Sequence, residues 1–516
     1  MDCLFVNPNN SGLYQELAID ISAIEPPTWA LLLAESCRSV GHEVSILDAE
    51  AERLPPDQVS RRIDRENPRI VLFVVYGQNP NSGTTGMAAV GECLKELSSK
   101  EDRPFLVGVV GSHASAAPKD VLRLENVDFV LLNEGVYALR NLLRHKNLSD
   151  LTQIKGIGHK IIGPTGTNLI LNEPEIVVPQ DRMDVDLPGY AWDLLPYKKS
   201  PLDMYRAHFW HAGFDYEKRT PFAAIYTSLG CQFACNFCMI NIVNRTDNRD
   251  HIDASHSSHM RFWSPDWVRR QMQILADLGV KALRISDEMF FLNKKFYNPI
   301  LSNAIDADYG FNMWTYSRVD TVRPDYLELF KRAGVNWLAL GIEAGNQNVR
   351  QEVSKGSFKD VNIRDVCDTV RNADINVISN YIFGFPDDDL NTMTETLELA
   401  LELNTEMANF YPCQALPGSP MYQYAKRAGW ELPKTYAEYG FLSYESKPLP
   451  TKHLSASEVL KFRDDAWHKY FTNPDYLSLV ESRFGLEERQ NVEDMTKIRL
   501  SRRLLEGPND PYADPL

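Results

Sequence analysis

Cysteine is scarce in this chain, with eight in 516 residues, too few for a disulfide-stapled scaffold. Long hydrophobic runs are missing as well. Runs such as Ile70-Val71-Leu72-Phe73-Val74-Val75-Tyr76 fall far short of the ~18 residues needed to span a bilayer. The start, Met1-Asp2-Cys3-Leu4-Phe5, has no basic stretch ahead of a long apolar one, so no signal peptide is expected. Positive charge is in deficit: Lys+Arg 54 stand against Asp+Glu 70, a net charge of −16. Such a surface repels phosphate backbones and anionic lipid, which argues against nucleic-acid and membrane partners. Two phosphate signatures are also lacking. No G-x-G-x-x-G follows the first strand and no G-x-x-x-x-G-K-[ST] occurs, which disfavours nicotinamide dinucleotides and P-loop nucleotides. What is present is ordinary for a folded chain, 44% hydrophobic and 24% charged, with a length that suggests roughly three domains at ~150 residues each. A cytoplasmic protein is expected.

Residues 1–140 alternate short β-rich runs with amphipathic stretches. Strands are predicted over 3–7, 43–48, 70–76, 105–110 and 129–132, with helices over 28–40, 57–66, 84–97 and 118–124. Alternation at this spacing implies a doubly wound parallel sheet, Rossmann-like in architecture. Ligands of such sheets bind outside the strands' carboxyl ends, which here carry Asn7, then Gly77-Gln78-Asn79, Gly111-Ser112-His113 and Asn133-Glu134-Gly135. Turn formation alone is the competing explanation for these polar and glycine-rich segments. Residues 141–220 read as an irregular connector rich in proline and aromatics. A second alternation over 221–430 contains six βα units, predicting a barrel or partial barrel whose chemistry sits at the strand C-termini. Within it, Ser264 followed by Pro265 marks a helix start. Residues 244–259 read as an exposed insertion, with a lid as the alternative. The last segment, 431–516, reads as a helical cap with helices over 455–471 and 492–505.

The eight cysteines are unevenly placed. Cys3, Cys37, Cys93, Cys367 and Cys413 are isolated and read as small core residues. Cys231, Cys235 and Cys238 stand together in Gly230-Cys231-Gln232-Phe233-Ala234-Cys235-Asn236-Phe237-Cys238. Three thiolates spaced C-x3-C-x2-C suit a cubane [4Fe–4S] cluster with one iron left open to a small molecule. A zinc site completed by His251, His256 or His259 is the alternative.

That C-x3-C-x-Phe-C loop, placed after the first strand of a six-unit barrel, resembles the radical S-adenosylmethionine (SAM) superfamily. Other segments match in order: Asp287-Glu288-Met289-Phe290 after the second strand, Arg318 at the end of the third, and Gly341-Ile342-Glu343-Ala344-Gly345 on the fourth. Gly384-Phe385-Pro386 on the fifth and Pro417-Gly418-Ser419-Pro420-Met421-Tyr422 after the sixth complete the series. Ala344 replaces the usual serine of its segment. The N-terminal sheet resembles the cobalamin-binding domain of one large branch of that family, the class B type radical SAM methyltransferases. The D-x-H-x-x-G motif of the mutases is absent, so no histidine is identified as a cobalt ligand.

The resemblance implies a fold and a chemistry. The fold is a cobalamin-binding Rossmann-like domain, a partial (β/α)6 barrel of TIM type and a small C-terminal helical domain. The cofactors are a [4Fe–4S] cluster, SAM and cobalamin. Cys231, Cys235 and Cys238 would hold the cluster; Phe237, Asp287, Glu288, Arg318 and Glu343 would contact SAM; Asn7, Gly77, Gln78, Asn79, Gly111, Ser112, His113, Glu134 and Gly135 would contact cobalamin. Reductive cleavage of SAM would yield a 5′-deoxyadenosyl radical, and methylcobalamin would deliver a methyl group to a carbon centre of a small-molecule substrate. A flavodoxin- or ferredoxin-like donor would supply electrons. A non-methylating oxidation, cyclisation or rearrangement is the alternative within the family. The acidic charge disfavours a transfer-RNA substrate, and the intact cysteine trio argues against a mere carrier or sensor.

Overall fold

A computed structural model describes the chain except for residues 16–20, 77–79, 98–102, 146–147, 164–165, 198–200, 355–357, 359 and 507–516. The candidate cobalamin contacts Gly77, Gln78 and Asn79 lie outside the described residues. No helix among the described residues is long and apolar enough to cross a membrane.

The first sheet is built on β1 (Cys3–Asn7), β2 (Val44–Asp48), β3 (Ile70–Val75), β4 (Leu106–Gly111) and β5 (Phe129–Leu131), all parallel in the order 2-1-3-4-5. The strands read as continuous apolar runs because both faces are covered. Alternate residues enter different cores. Leu4, Val6, Val71 and Phe73 pack with Val59, Ile63 and Met87 on one side, while Cys3, Phe5, Ile70 and Leu72 face a core that runs on into the second half of the molecule. Strand order reverses between β1 and β3, so the carboxyl edge there opens the crevice in which such sheets take ligands.

The stretch read as an irregular connector contains two strands, β6 (Ile157–Gly163) and β7 (Gly166–Leu171), which add antiparallel to β5 and bring the sheet to seven. Their glycine-rich, partly exposed sequence hides the alternation on which strand recognition depends. Only the remainder of the connector, from about 172, is irregular. Its aromatics are packing residues: Trp210 lies against Trp314 and Trp337 at centroid distances of 5.1 and 5.3 Å.

The second sheet has six parallel strands in sequence order: β8 (Phe222–Ile225), β11 (Ala282–Ile285), β12 (Asn312–Arg318), β13 (Val335–Glu343), β14 (Asn376–Phe383) and β15 (Met407–Pro412). Between β8 and β11 a two-stranded antiparallel ribbon, β9 (Ser228–Gly230) with β10 (Met260–Phe262), departs from the barrel. Helices such as Pro265–Asp277 and Leu390–Leu403 cover the outside, and the Ser264 hydroxyl caps the first by accepting the Trp267 N–H at 3.1 Å. The result is a partial (β/α)6 barrel with its edge strands unpaired to each other.

Three helices, Ala456–Phe471, Pro474–Arg483 and Leu486–Met495, close the β14–β15 side. Tyr470 and Tyr476 reach the backbone oxygens of Thr405 and Glu406 at 2.6 and 3.1 Å. The helix expected over 492–505 ends instead at Met495. Beyond it the chain turns so that buried Arg502 can donate to both oxygens of Asp464 at 2.8 and 2.9 Å, a buried ion pair that overrides local helix preference.

Candidate functional site

The carboxyl ends of the two sheets face each other, and every element of the site lies at that seam. Glu25 reaches from the N-terminal side into the barrel and pairs both its oxygens with Arg284 of β11 at 2.7 and 2.8 Å. Gly418, after β15, lies against Ala116 and Met239; a Cβ there would be 3.0 and 3.3 Å from their side chains.

The cysteine loop leaves β9 and is fastened at several points. Asn241 accepts the Cys231 N–H at 2.9 Å and donates to Phe233 O and Ser258 Oγ at 2.9 and 3.0 Å. Asn236 binds Val353 O through its N–H at 2.8 Å and accepts the Met421 N–H, also at 2.8 Å. Backbone N–H groups of Phe233 and Ile240 donate to the sulfurs of Cys231 and Cys238, each at 3.4 Å. Burial pushes the Cys231 thiol up to about 12 and that of Cys235 to about 11, and holds Cys238 well above the ordinary range. Thiolates in this pocket therefore need a positive counter-charge such as iron. Among the described residues no three His, Cys, Asp or Glu side chains converge as they would on a single ion. A cubane takes each thiolate on a different iron and does not require that. The three candidate histidines stay apart from the sulfurs: His251 pairs with Asp120, His259 Nδ1 lies 2.9 Å from Ser257 O, and His256 is exposed.

Two carboxylates near the cysteines make no hydrogen bond among the described residues. Burial raises Glu288 and Glu343 each to about 7, opposed by Arg284 and by Arg318 respectively. Glu343 ends β13 at a register shift against β14 and holds φ 68, a bulge with a conformation costly for a side-chain-bearing residue. Its carboxylate lies over Gly341, where a Cβ would sit 2.6 Å from Glu343 Oε1, so a larger residue there would displace the carboxylate. The other polar candidates have partners already. Both oxygens of Asp287 are taken by the Thr227 N–H, Thr227 Oγ1 and Ser228 Oγ, each at 2.6 Å, so this residue braces the strand that leads to the cysteines. Arg318 presents a two-pronged bond to Asp320 at 2.9 and 2.7 Å and stacks on Phe233 with its carbon 3.9 Å from the ring centroid. Phe237 lies against Phe385 at 5.7 Å.

On the opposite edge, Gly111 lets the end of β4 approach β3, since a Cβ would be 2.1 Å from Val75 O. The expected loop after it is a short helix, Ser112–Ala116. Ser112 packs into the space left by Gly83. His113 is 3% exposed, contacts Thr84 Oγ1 through Nδ1 at 3.1 Å, and leaves Nε2 without a partner among the described residues; burial lowers it to about 4. Asn7 donates to Asp48 at 2.8 Å. Glu134 and Gly135, the remaining candidate cobalamin contacts, are engaged by protein neighbours. Glu134 is 1% exposed, pairs with buried Arg261 of β10 at 2.9 Å and accepts the Val178 N–H, locking the first sheet to the cysteine ribbon. Gly135 starts the helix Val136–Arg144 with φ 77. The segment 244–259 is not the exposed insertion expected. Arg245 is fully buried and reaches Ser115 O, Asp250 accepts the Lys119 N–H at 3.3 Å, and His251 meets Asp120 at 3.1 Å. Arg245, Asp250 and His251 reach across the seam, which composition does not reveal. Asn81, Asn241 and Glu25 were not expected from the sequence; lone amides and acids carry no motif.

Comparison with known proteins agrees with this geometry. Residues 225–400 match the family model of the Radical SAM superfamily, and residues 16–143 match that of the B12 binding domain. The chain belongs to the cobalamin-binding radical SAM enzymes. It is 24% identical over 455 residues to an uncharacterized methyltransferase of Pyrococcus horikoshii, covering 88% of this chain and 89% of that one. It is 23% identical to the anaerobic magnesium-protoporphyrin IX monomethyl ester cyclase of Rubrivivax gelatinosus, covering 92% and 78%. Among solved structures, the radical SAM methyltransferase TsrM of Kitasatospora setae, with cobalamin and a [4Fe–4S] cluster bound, superposes with a TM-score of 0.64 at 17% identity, covering 96% of this chain and 99% of that one. The likeness confirms the architecture of sheet domain, partial barrel and helical cap. The family pairs an iron–sulfur cluster and SAM with a cobalamin, and the residues at the seam fit that set. They comprise a thiol trio, buried at Cys231 and half-buried at Cys235 and Cys238, with backbone N–H donors on the sulfurs of Cys231 and Cys238, two carboxylates beside it without hydrogen bonds among the described residues, and buried polar atoms on both edges without partners among those residues, His113 Nε2 and the amide of Gln414.

Proposed function

We propose that this chain is a cobalamin-dependent radical SAM methyltransferase that alkylates a carbon centre of a small molecule. The observation that carries the proposal is the placement of the stapled cysteine loop and the unpartnered carboxylates Glu288 and Glu343 against the carboxyl edge of the first sheet. When bound, the cluster with SAM supplies hydrogen abstraction and the cobalamin supplies the methyl group, chemistry that side chains alone cannot perform. Cys231, Cys235 and Cys238 hold the cluster. Glu288 and Glu343 accept hydrogen bonds from the ammonium and hydroxyl groups of SAM, and Phe237 packs on its apolar face. Asp287 and Arg318 position this set through Thr227, Ser228, Asp320 and Phe233. Asn7, Gly111, Ser112 and His113 line the cobalamin side. The buried seam excludes water, which protects a reactive carbon from quenching. Electrons come from a flavodoxin- or ferredoxin-like donor. Because β6 and β7 complete the first sheet, we place the cobalamin unit over residues 1–171 rather than 1–140, with the barrel over 221–430 and the cap over 431–516.

Likeness to a cyclase supports a second reading, a non-methylating ring closure or oxidation. Anaerobic reconstitution with iron, sulfide, cobalamin and SAM, followed by mass analysis of candidate products, separates the two. A gain of one CH2 supports methylation; turnover to 5′-deoxyadenosine with a product lacking that gain refutes it.

A further inference from the structure

Asn81 lies in the short helical turn Pro80–Ser82 that follows β3 on the carboxyl edge of the first sheet. It crosses the seam to a residue 157 positions away: its Nδ2 donates to Cys238 Sγ at 3.6 Å, and its Oδ1 accepts the Met239 N–H at 3.1 Å. The orientation of this amide follows from its partners. A backbone N–H can only donate, so the oxygen must face Met239 and the NH2 must face the sulfur. Cys238 receives a second donor from the Ile240 N–H at 3.4 Å. Asn81 is therefore a side chain of the cobalamin-binding sheet that touches a sulfur of the cysteine loop in the barrel.

We propose that Asn81 tunes the cluster, raising its reduction potential by donating an N–H to the Cys238 thiolate, while its carbonyl fixes the loop through Met239. Hydrogen bonds to cluster sulfurs stabilise the more negative, reduced state and so raise the potential. Because the donor stands on the cobalamin-binding sheet, any shift of that sheet edge changes the ease of cluster reduction. The inference rests on the reading that Cys231, Cys235 and Cys238 hold a [4Fe–4S] cluster.

The test uses the full chain, reconstituted anaerobically without substrate. Iron and sulfide counts with the electron paramagnetic resonance spectrum of the reduced parent protein first establish the cluster; a parent that loads none refutes the metal reading itself. Midpoint potentials are then measured by resonance-monitored redox titration for the parent, Asn81→Ala and Asn81→Asp. The aspartate keeps an acceptor for the Met239 N–H but replaces the donor to sulfur with a negative charge. The expected result is a loaded cluster in both variants with the potential shifted downward, further in Asn81→Asp than in Asn81→Ala. Loaded variants at the parent potential overturn the inference. Loss of loading in both also overturns it, since that makes Asn81 a scaffold of the loop and not a donor that sets the potential.

Discussion

Replacing Glu134 with alanine tests whether this residue is a brace or a cofactor contact. Its carboxylate is 1% exposed and its partner Arg261 is 3% exposed, with the closest N–O distance 2.9 Å. Removing the acid strands a buried guanidinium, a loss of about 3–5 kcal/mol when one member of a buried pair is deleted. Arg261 keeps the Val178 O and Asn244 Oδ1 as acceptors, at 2.7 and 2.9 Å, so the lower end of that range is expected. The Val178 N–H also loses its acceptor, and an unsatisfied buried donor costs about 1–3 kcal/mol by itself; the two losses overlap because one carboxylate serves both. The double variant Glu134→Leu with Arg261→Met removes both charges and should recover most of the loss, since apolar replacement of a buried pair is often near neutral. Urea unfolding followed by circular dichroism and tryptophan fluorescence reads the stability, and absorbance titration with hydroxocobalamin reads cofactor binding in the Glu134→Gln protein. The expected outcome is a large stability loss in Glu134→Ala, recovery in the double variant, and unchanged cobalamin affinity in Glu134→Gln. A stability change below about 1 kcal/mol combined with weakened cobalamin binding would refute the brace and restore the role expected from sequence.

Three further outcomes are expected. Cys235→Ala should lower iron and sulfide content and abolish SAM cleavage while leaving cobalamin absorbance bands intact; retained turnover would sink the cluster assignment. Glu343→Gln should weaken SAM binding by roughly tenfold or more, the worth of a charged hydrogen bond of ~1.5–3 kcal/mol, read by equilibrium binding to the cluster-loaded protein. His251 is raised above its ordinary value chiefly by its hydrogen bond to Asp120, and Asp120 is lowered chiefly by His251. The histidine's share of stability is complete below its unfolded value near ~6.5 and fades as pH climbs through its raised folded value. The aspartate's share is present above its unfolded value of ~3.9 and fades as pH falls through the lowered one. With side chains 26% and 39% exposed, the pair is worth at most ~1 kcal/mol. His251→Gln should therefore flatten the drop in melting temperature between pH 6 and 8, and an unchanged slope would exclude this pair as its source.

The sequence alone determined the class of chemistry and the order of the elements. Three cysteines spaced for a cubane, followed by motif segments in barrel order, carry the resemblance to the radical SAM class, because thiolate spacing and glycine positions are local requirements written in consecutive residues. The parallel strands were legible because burial on both faces makes them unbroken apolar runs; β1 was read to the residue. The hairpin of β6 and β7 was not, since an edge hairpin needs little buried surface and carries glycine instead of alternation. Only the tertiary structure decided what the polar residues do. Glu134 and Asp287 stand at motif positions, and the fold ties each to neighbours distant in sequence, Glu134 to Arg261 and Val178 and Asp287 to Thr227 and Ser228. Glu288 and Glu343 have no hydrogen-bond partner among the described residues, and Arg245, Glu25 and Asn81 cross a seam that no single segment encodes. A charged or amide side chain takes its role from the partner it meets, and that partner is set by which two sheet edges pack together, a property of the folded chain and not of any local stretch of it.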